Sequence, residues 1–135
     1  MKLFHLIFGI TVVIVFVLTG QYMDRYLQHL EYTPDLQRML YRSRHIYILL
    51  SGLLNLGIGT YFDYGPRRWR RVLQVIGSLL IVTATVLFIL AFIYEPPRAS
   101  LNTPLSGRAM YLILDGTLLH VIAGIRWRSR EYPER

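Results

Sequence analysis

Asp115 interrupts one long apolar run of the chain, Ser51 and Asn55 interrupt another, and four histidines, His5, His29, His45 and His120, stand in or beside such runs. An aspartate and a histidine in an apolar helix are candidates for a proton or ion path. Asp115 and His120 are five residues apart, which points them about 140° apart on a helix, and their run holds no further carboxylate to continue a relay. The residues fit better a hydrogen-bonded clamp between helices, with Asp115 facing inward and neutralised or bonded to Ser51, Tyr111 or an arginine.

Paired histidines also suggest a b-type haem held by two imidazoles in a four-helix bundle. His5 and His120 belong to one end of the apolar runs, and His29 and His45 to the other, so two such pairs are conceivable. Neither pair has diagnostic spacing: the chain contains no H-x-x-x-H and no E-x-x-H. No metal site is expected.

Arg38, Arg42 and His45 follow one helical stripe that continues into Gly52, Asn55 and Gly59, and Arg108 opens the last apolar run at the same level. Guanidinium groups bind phosphate bidentately, so these four residues form a candidate site for a lipid headgroup or another anion. The alternative is a solvated face paired with Glu31 and Asp35.

Much other chemistry is excluded. A chain of 135 residues with no cysteine has no disulfide, thiolate nucleophile, iron-sulfur cluster or cysteine-based zinc site. No nucleotide-binding loop or catalytic triad motif is present, so no catalytic residue is assigned. The net charge of +7 comes from fourteen arginines and one lysine against eight acids. The arginines flank apolar blocks, where basic residues set membrane orientation, so nucleic acid is not the expected partner.

Only 17% of the residues are charged and 53% are hydrophobic, against about 25% charged in an ordinary soluble domain. The apolar residues form four blocks, which predicts one all-α domain over 1–135: a bundle of four transmembrane helices. Residues 3–23 form the first span, long enough to cross a hydrocarbon core of about 30 Å; the apolar part exceeds that of a signal peptide and no A-x-A site follows. The others are 46–62, 72–94, ended by Pro96 and Pro97, and 109–125. Thr33-Pro34 and Thr103-Pro104 each supply an N-cap hydroxyl and a proline at the first helical position, so the second helix is expected to begin near residue 34, beyond the bilayer, and the fourth near 104.

Lys2, the cluster Arg67, Arg68, Arg70 and Arg71, and the tail arginines 126, 128, 130 and 135 give nine basic residues on one side against six on the other. This predicts a multi-pass protein with both termini cytoplasmic. Tyr22, Tyr26, Tyr32, Tyr41, Tyr47, Tyr94 and Tyr111 crowd the opposite boundary, as an aromatic belt does.

T-P-x-x-x-R-x-x-Y occurs twice at an offset of 70, as Thr33, Pro34, Arg38 and Tyr41 and as Thr103, Pro104, Arg108 and Tyr111; R-W-R follows each span, at 68–70 and 126–128. A duplicated helical hairpin would produce this pattern, as would convergence on a small menu of interfacial residues.

Gly116, His120 and Gly124 recur every four residues on the fourth span, matching the second-span stripe. At 1.5 Å per residue, Asn55 and His120 lie about 15 to 18 Å from the non-cytoplasmic boundary, with Thr11 and Thr85 at similar depth and Asp115 near 10 Å. A polar layer of Ser51, Asn55, Asp115 and His120 should therefore face other helices, while Leu50, Leu53 and Leu54 face lipid. The function expected is that of a small membrane protein acting through helix association, as an accessory or oligomer-forming subunit among membrane lipids and other membrane proteins. The alternatives are a bundle binding haem, quinone or lipid, and a proton-coupled conduit using Asp115.

Overall fold

The apolar blocks and the proline positions fold into four helices, seen in a computed structural model that describes residues 1–61 and 67–125. Phe62, Asp63 and the basic tail with the second R-W-R lie outside the described residues. Helix α1 spans Lys2–Arg25, α2 Asp35–Tyr61, α3 Arg68–Tyr94 and α4 Pro104–Gly124. No strand occurs among the described residues.

The helix boundaries follow local chemistry. Asp35 occupies the first turn of α2, where its charge complements the exposed N–H groups. Pro96 and Pro97 cannot continue α3; the chain tightens into a 3-10 turn over Pro96–Arg98 and leaves it through Ala99, whose φ of 46° is left-handed. Thr103 is the N-cap residue of α4 and Pro104 its first residue, as the sequence predicts. The threonine hydroxyl makes no cap hydrogen bond, however. A carboxylate from α3 takes that role, as described below.

Helix α1 packs mainly on α2, and α3 on α4, as two antiparallel hairpins that meet through α2 and α3. Glycine sets the distance within each hairpin. A Cβ on Gly59 would stand 2.6 Å from the Leu6 backbone nitrogen, and one on Gly116 would stand 2.8 Å from the Gly77 carbonyl oxygen. Backbone cannot withdraw from such contacts as a side chain can, so both positions exclude any larger residue. Between the hairpins, Val12, Ile48, Ala84, Phe88, Phe92, Ala109 and Ile113 belong to one core cluster.

The buried residues of α4 are Ser106, Ala109, Ile113, Gly116 and Ala123, with half-buried His120 completing an alternating three-and-four spacing. Asp115 precedes Gly116 by one residue and is exposed. The expectation that it points inward is thus corrected: the stripe that brings α4 to α3 is one of small side chains, and a carboxylate at 115 lies outside that contact. Leu50 and Leu53 are exposed as expected, whereas Leu54 is half-buried against the core. The two T-P-x-x-x-R-x-x-Y segments both open helices but differ in environment: Tyr41 is 6% exposed and Tyr111 72%.

Candidate functional site: a buried polar layer and a buried ion pair

Toward the end of the bundle where α1 begins, a directed chain of hydrogen bonds crosses three helices. His5 Nδ1 on α1 donates to Asn55 Oδ1 on α2 at 2.8 Å. The Asn55 amide donates to the Ser51 carbonyl oxygen at 2.8 Å and to Thr85 Oγ1 on α3 at 3.2 Å. Thr85 in turn donates to the Ile81 carbonyl oxygen at 2.8 Å. His5, Ser51, Asn55 and Thr85 are all fully buried. In such surroundings a missing partner leaves a polar group that water cannot reach, so the asparagine holds three helices in one register.

The fourth helix joins through a histidine. His120 Nε2 and the Ser78 hydroxyl on α3 share a hydrogen bond of 3.0 Å. The His5 and His120 rings meet edge to face, with centroids 6.3 Å apart and planes at 86°. Two axial imidazoles approach one iron end-on from opposite faces of a porphyrin; here the rings contact each other directly, with Nδ1 of one and Nε2 of the other engaged by side chains. That arrangement leaves no gap between them for a macrocycle.

Of the sequence-derived seam, the structure brings together Ser51 and Asn55 and places half-buried His120 beside His5, while Asp115 lies on the outer surface. Thr11 is exposed and bonds the Ile7 carbonyl of its own helix. A path running from Asp115 to His120 would have to cross α4 itself.

A second polar node lies at the opposite end of the bundle. Arg44 of α2 and Glu95, at the end of α3, are 5% and 3% exposed, and Arg44 Nε donates to Glu95 Oε2 at 3.0 Å. Glu95 Oε1 accepts the backbone N–H groups of Leu105 at 2.9 Å and Ser106 at 3.0 Å, and the Ser106 hydroxyl donates to Oε2. The first turn of α4 has N–H groups without intrahelical partners, and the carboxylate satisfies two of them. Arg44 also donates through Nη1 to Ser43 Oγ at 2.7 Å. One acid thus ties α2, α3 and α4 together.

The four residues read as an anion site have different surroundings. Arg38 Nη2 donates to the Thr33 carbonyl at 3.1 Å and lies 3.7 Å from Asp35. His45 turns toward α1, where its Nδ1 donates to Thr19 Oγ1 at 2.9 Å and its ring stacks on Phe16 at 4.0 Å. Arg42 is exposed and lines a surface depression of about 260 Å³ with Gly20, Met23, Asp24 and Leu30. Arg108 is exposed on α4. Arg38 and His45 are occupied in holding local structure, and of the four only Arg42 lines this depression.

Sequence reasoning placed Arg42 on the interior stripe of α2, whereas Arg44 occupies it. It passed over Glu95 and Ser106 altogether. The signal for Glu95 was present: a lone acid between a 23-residue apolar run and two prolines is held at a helix end and needs donors, and the nearest are at the start of the next helix. Comparison with protein-family models, curated proteins and solved structures finds no match to this chain.

Proposed function

We propose that this chain is a multi-pass membrane protein, all four helices crossing the bilayer with both termini cytoplasmic, that acts through helix association as an accessory or oligomer-forming subunit. The observation that carries this reading is the distribution of polarity. The interior holds hydrogen-bonded His5, Asn55, Thr85, Arg44 and Glu95, while Leu3, Ile7, Ile10, Ile14 and Val17 cover the outside of α1 at 49% exposure or more. A soluble monomer rarely exposes so large an apolar face, and lipid covers one without cost.

The secondary structure of α1 agrees. Residues 10–15, Ile-Thr-Val-Val-Ile-Val, are six consecutive β-branched residues, a strand signature in water, yet they are helical here. Packing on α2 holds only part of this run, since Ile10, Thr11 and Ile14 are exposed. A hydrocarbon surround, in which each backbone group must be satisfied within its own segment, favours the helix. Lys2–Arg25 and Arg68–Arg98 are long and apolar enough to cross a membrane. Helices α2 and α4 complete the crossing in this reading, their polar residues turned to the interior or to the membrane boundary, Asp115 excepted.

Membrane washing and bilayer reconstitution test the proposal together. The chain is expected to resist alkaline carbonate extraction, and native mass spectrometry from lipid nanodiscs is expected to show assemblies above the 15.8 kDa of one chain. Carbonate-soluble protein would remove the membrane reading, and a strict monomer that copurifies with no other membrane protein would remove the association reading. A Soret band in the purified protein would favour the haem-binding alternative instead.

A further inference from the structure

At its turn end the α1–α2 hairpin carries the depression of about 260 Å³ lined by Gly20, Met23 and Asp24 of α1, Leu30 of the connecting turn and Arg42 of α2. Helix register places the two charges. A Cβ on Gly20 would stand 3.3 Å from His45 Cε1, so residue 20 is level with residue 45. Asp24, one turn later on α1, is therefore level with Arg42, about one turn earlier on the antiparallel α2. Both residues are exposed, and Arg42 has no hydrogen bond or ion pair among the described residues. Opposite charges thus stand on the α1 and α2 sides of one depression without an ion pair between them, and apolar Met23 and Leu30 complete the lining. The turn is held in shape. Gln28 and Leu30 have left-handed φ of 47° and 65°, which residues with side chains rarely adopt. Leu30 is fixed there by burial in the core cluster, and Arg38 Nη2 ties the segment that follows to α2 through the Glu31 and Thr33 carbonyls. Backbone strain persists where packing over-determines it, and it clusters at sites that clamp a ligand.

Resting on the membrane reading above, we infer that this depression binds the headgroup of a phospholipid carrying a primary ammonium, an ethanolamine-type zwitterion, in the non-cytoplasmic leaflet. Asp24 and Arg25 end the apolar run of α1, which sets the depression at headgroup level. The Arg42 guanidinium donates to phosphate oxygens in its fork geometry, and the Asp24 carboxylate accepts from the ammonium. A two-carbon bridge between phosphate and nitrogen lets one headgroup meet both charges. Asp24 sets the choice among headgroups. The quaternary nitrogen of choline has no N–H to donate, and an anionic headgroup without nitrogen meets the carboxylate as a like charge. Arginine alone would favour the anionic lipid, whereas the opposed pair favours the zwitterion.

Lipid competition tests the site. The chain is placed in nanodiscs of equal parts dioleoyl phosphatidylethanolamine, phosphatidylcholine and phosphatidylglycerol, and the lipids it retains on release are counted by native mass spectrometry. Wild type is expected to retain the ethanolamine lipid over each of the others by about twofold to fivefold, the range of an exposed charge pair. Asp24→Asn should lose the preference over choline and gain retention of the anionic lipid, while Arg42→Gln should retain less of all three. Arg98→Gln, at an exposed arginine outside the depression, should match wild type. All three side chains are exposed, so the variants should fold, which circular dichroism checks. Equal retention of ethanolamine and choline lipids by wild type, or a preference for the anionic lipid, would overturn the proposal. So would a preference that survives both Asp24→Asn and Arg42→Gln, or a loss in Arg98→Gln equal to that in Arg42→Gln. Displacement of the lipid by soluble phosphoethanolamine at matched concentration would assign the site to a free solute and overturn the lipid source. A chain without this selectivity that still resists carbonate loses the site and keeps the membrane reading, whereas release by carbonate removes both.

Discussion

The Glu95 carboxylate at the end of α3 accepts a hydrogen bond from the Arg44 guanidinium of α2 at 3.0 Å, across 51 residues of sequence, and both side chains are buried. The same carboxylate caps the first turn of α4 through the Leu105 and Ser106 N–H groups. This node joins the α1–α2 hairpin to the α3–α4 hairpin at the end opposite the His5–Asn55 layer.

Removing one partner of that pair leaves the other charge buried. Glu95→Ala is expected to destabilise the protein by about 3 to 5 kcal/mol. The double variant Arg44→Leu with Glu95→Leu should recover a large part of the loss. Reversible unfolding in mixed micelles, titrated with a denaturing detergent, measures both. Equal losses in the single and double variants would show that capping of α4, rather than the unpaired charge, dominates.

Asn55 should be more sensitive than its neighbours. Asn55→Leu removes the acceptor for His5 and the donor to Thr85, and loss of such bonds between helices in lipid is worth about 0.6 to 2 kcal/mol. The same unfolding titration should show a midpoint shift for Asn55→Leu and almost none for Leu53→Ala, whose side chain is exposed.

Close approach of helices gives a paired glycine test. Gly116→Ala places a Cβ 2.7 Å from Ile81 Cγ1 and 2.8 Å from the Gly77 carbonyl oxygen, and overpacking of this kind costs about 1 to 3 kcal/mol. Gly57 faces open space in α2, so Gly57→Ala should be neutral or stabilising by up to about 1 kcal/mol. Matching losses for the two variants would show that helix propensity, and not the α3–α4 contact, is being measured.

Orientation is open to chemical labelling. Single cysteines replacing Tyr32 and Asn102 should react with a membrane-impermeant maleimide applied outside intact cells, while those replacing Lys2 and Arg67 should react only after permeabilisation. The reverse pattern would invert the orientation derived from the arginine distribution.

The helix positions were legible in the sequence because their signals are local: apolar runs, Thr-Pro at two helix starts and Pro96-Pro97 after α3. The burial of Asn55 was legible too, since Gly52 and Gly59 share its stripe and leucines occupy the other faces. Arg44 was not. A stripe counted from His45 takes in Arg42 at one edge and Asn55 at the other and leaves Arg44 just outside, although eleven residues, about 20° from Asn55, put Arg44 on the buried face. His45 instead faces α1 and Arg44 faces Glu95.

Asp115 marks the boundary between what the sequence alone determines and what packing decides. Composition and spacing establish that α4 has a small-residue stripe and a carboxylate, and that the two are about 100° apart. They do not say which of the two turns inward. The Gly77–Gly116 approach decides, because two backbones come into contact only where both lack side chains, and that contact fixes the rotation of α4 and places the carboxylate outside. Glu95, Arg44 and Ser106 have the same origin. Glu95 and Ser106 are ordinary polar residues near helix ends and Arg44 lies inside α2, and only the joining of two hairpins gathers them into one buried group.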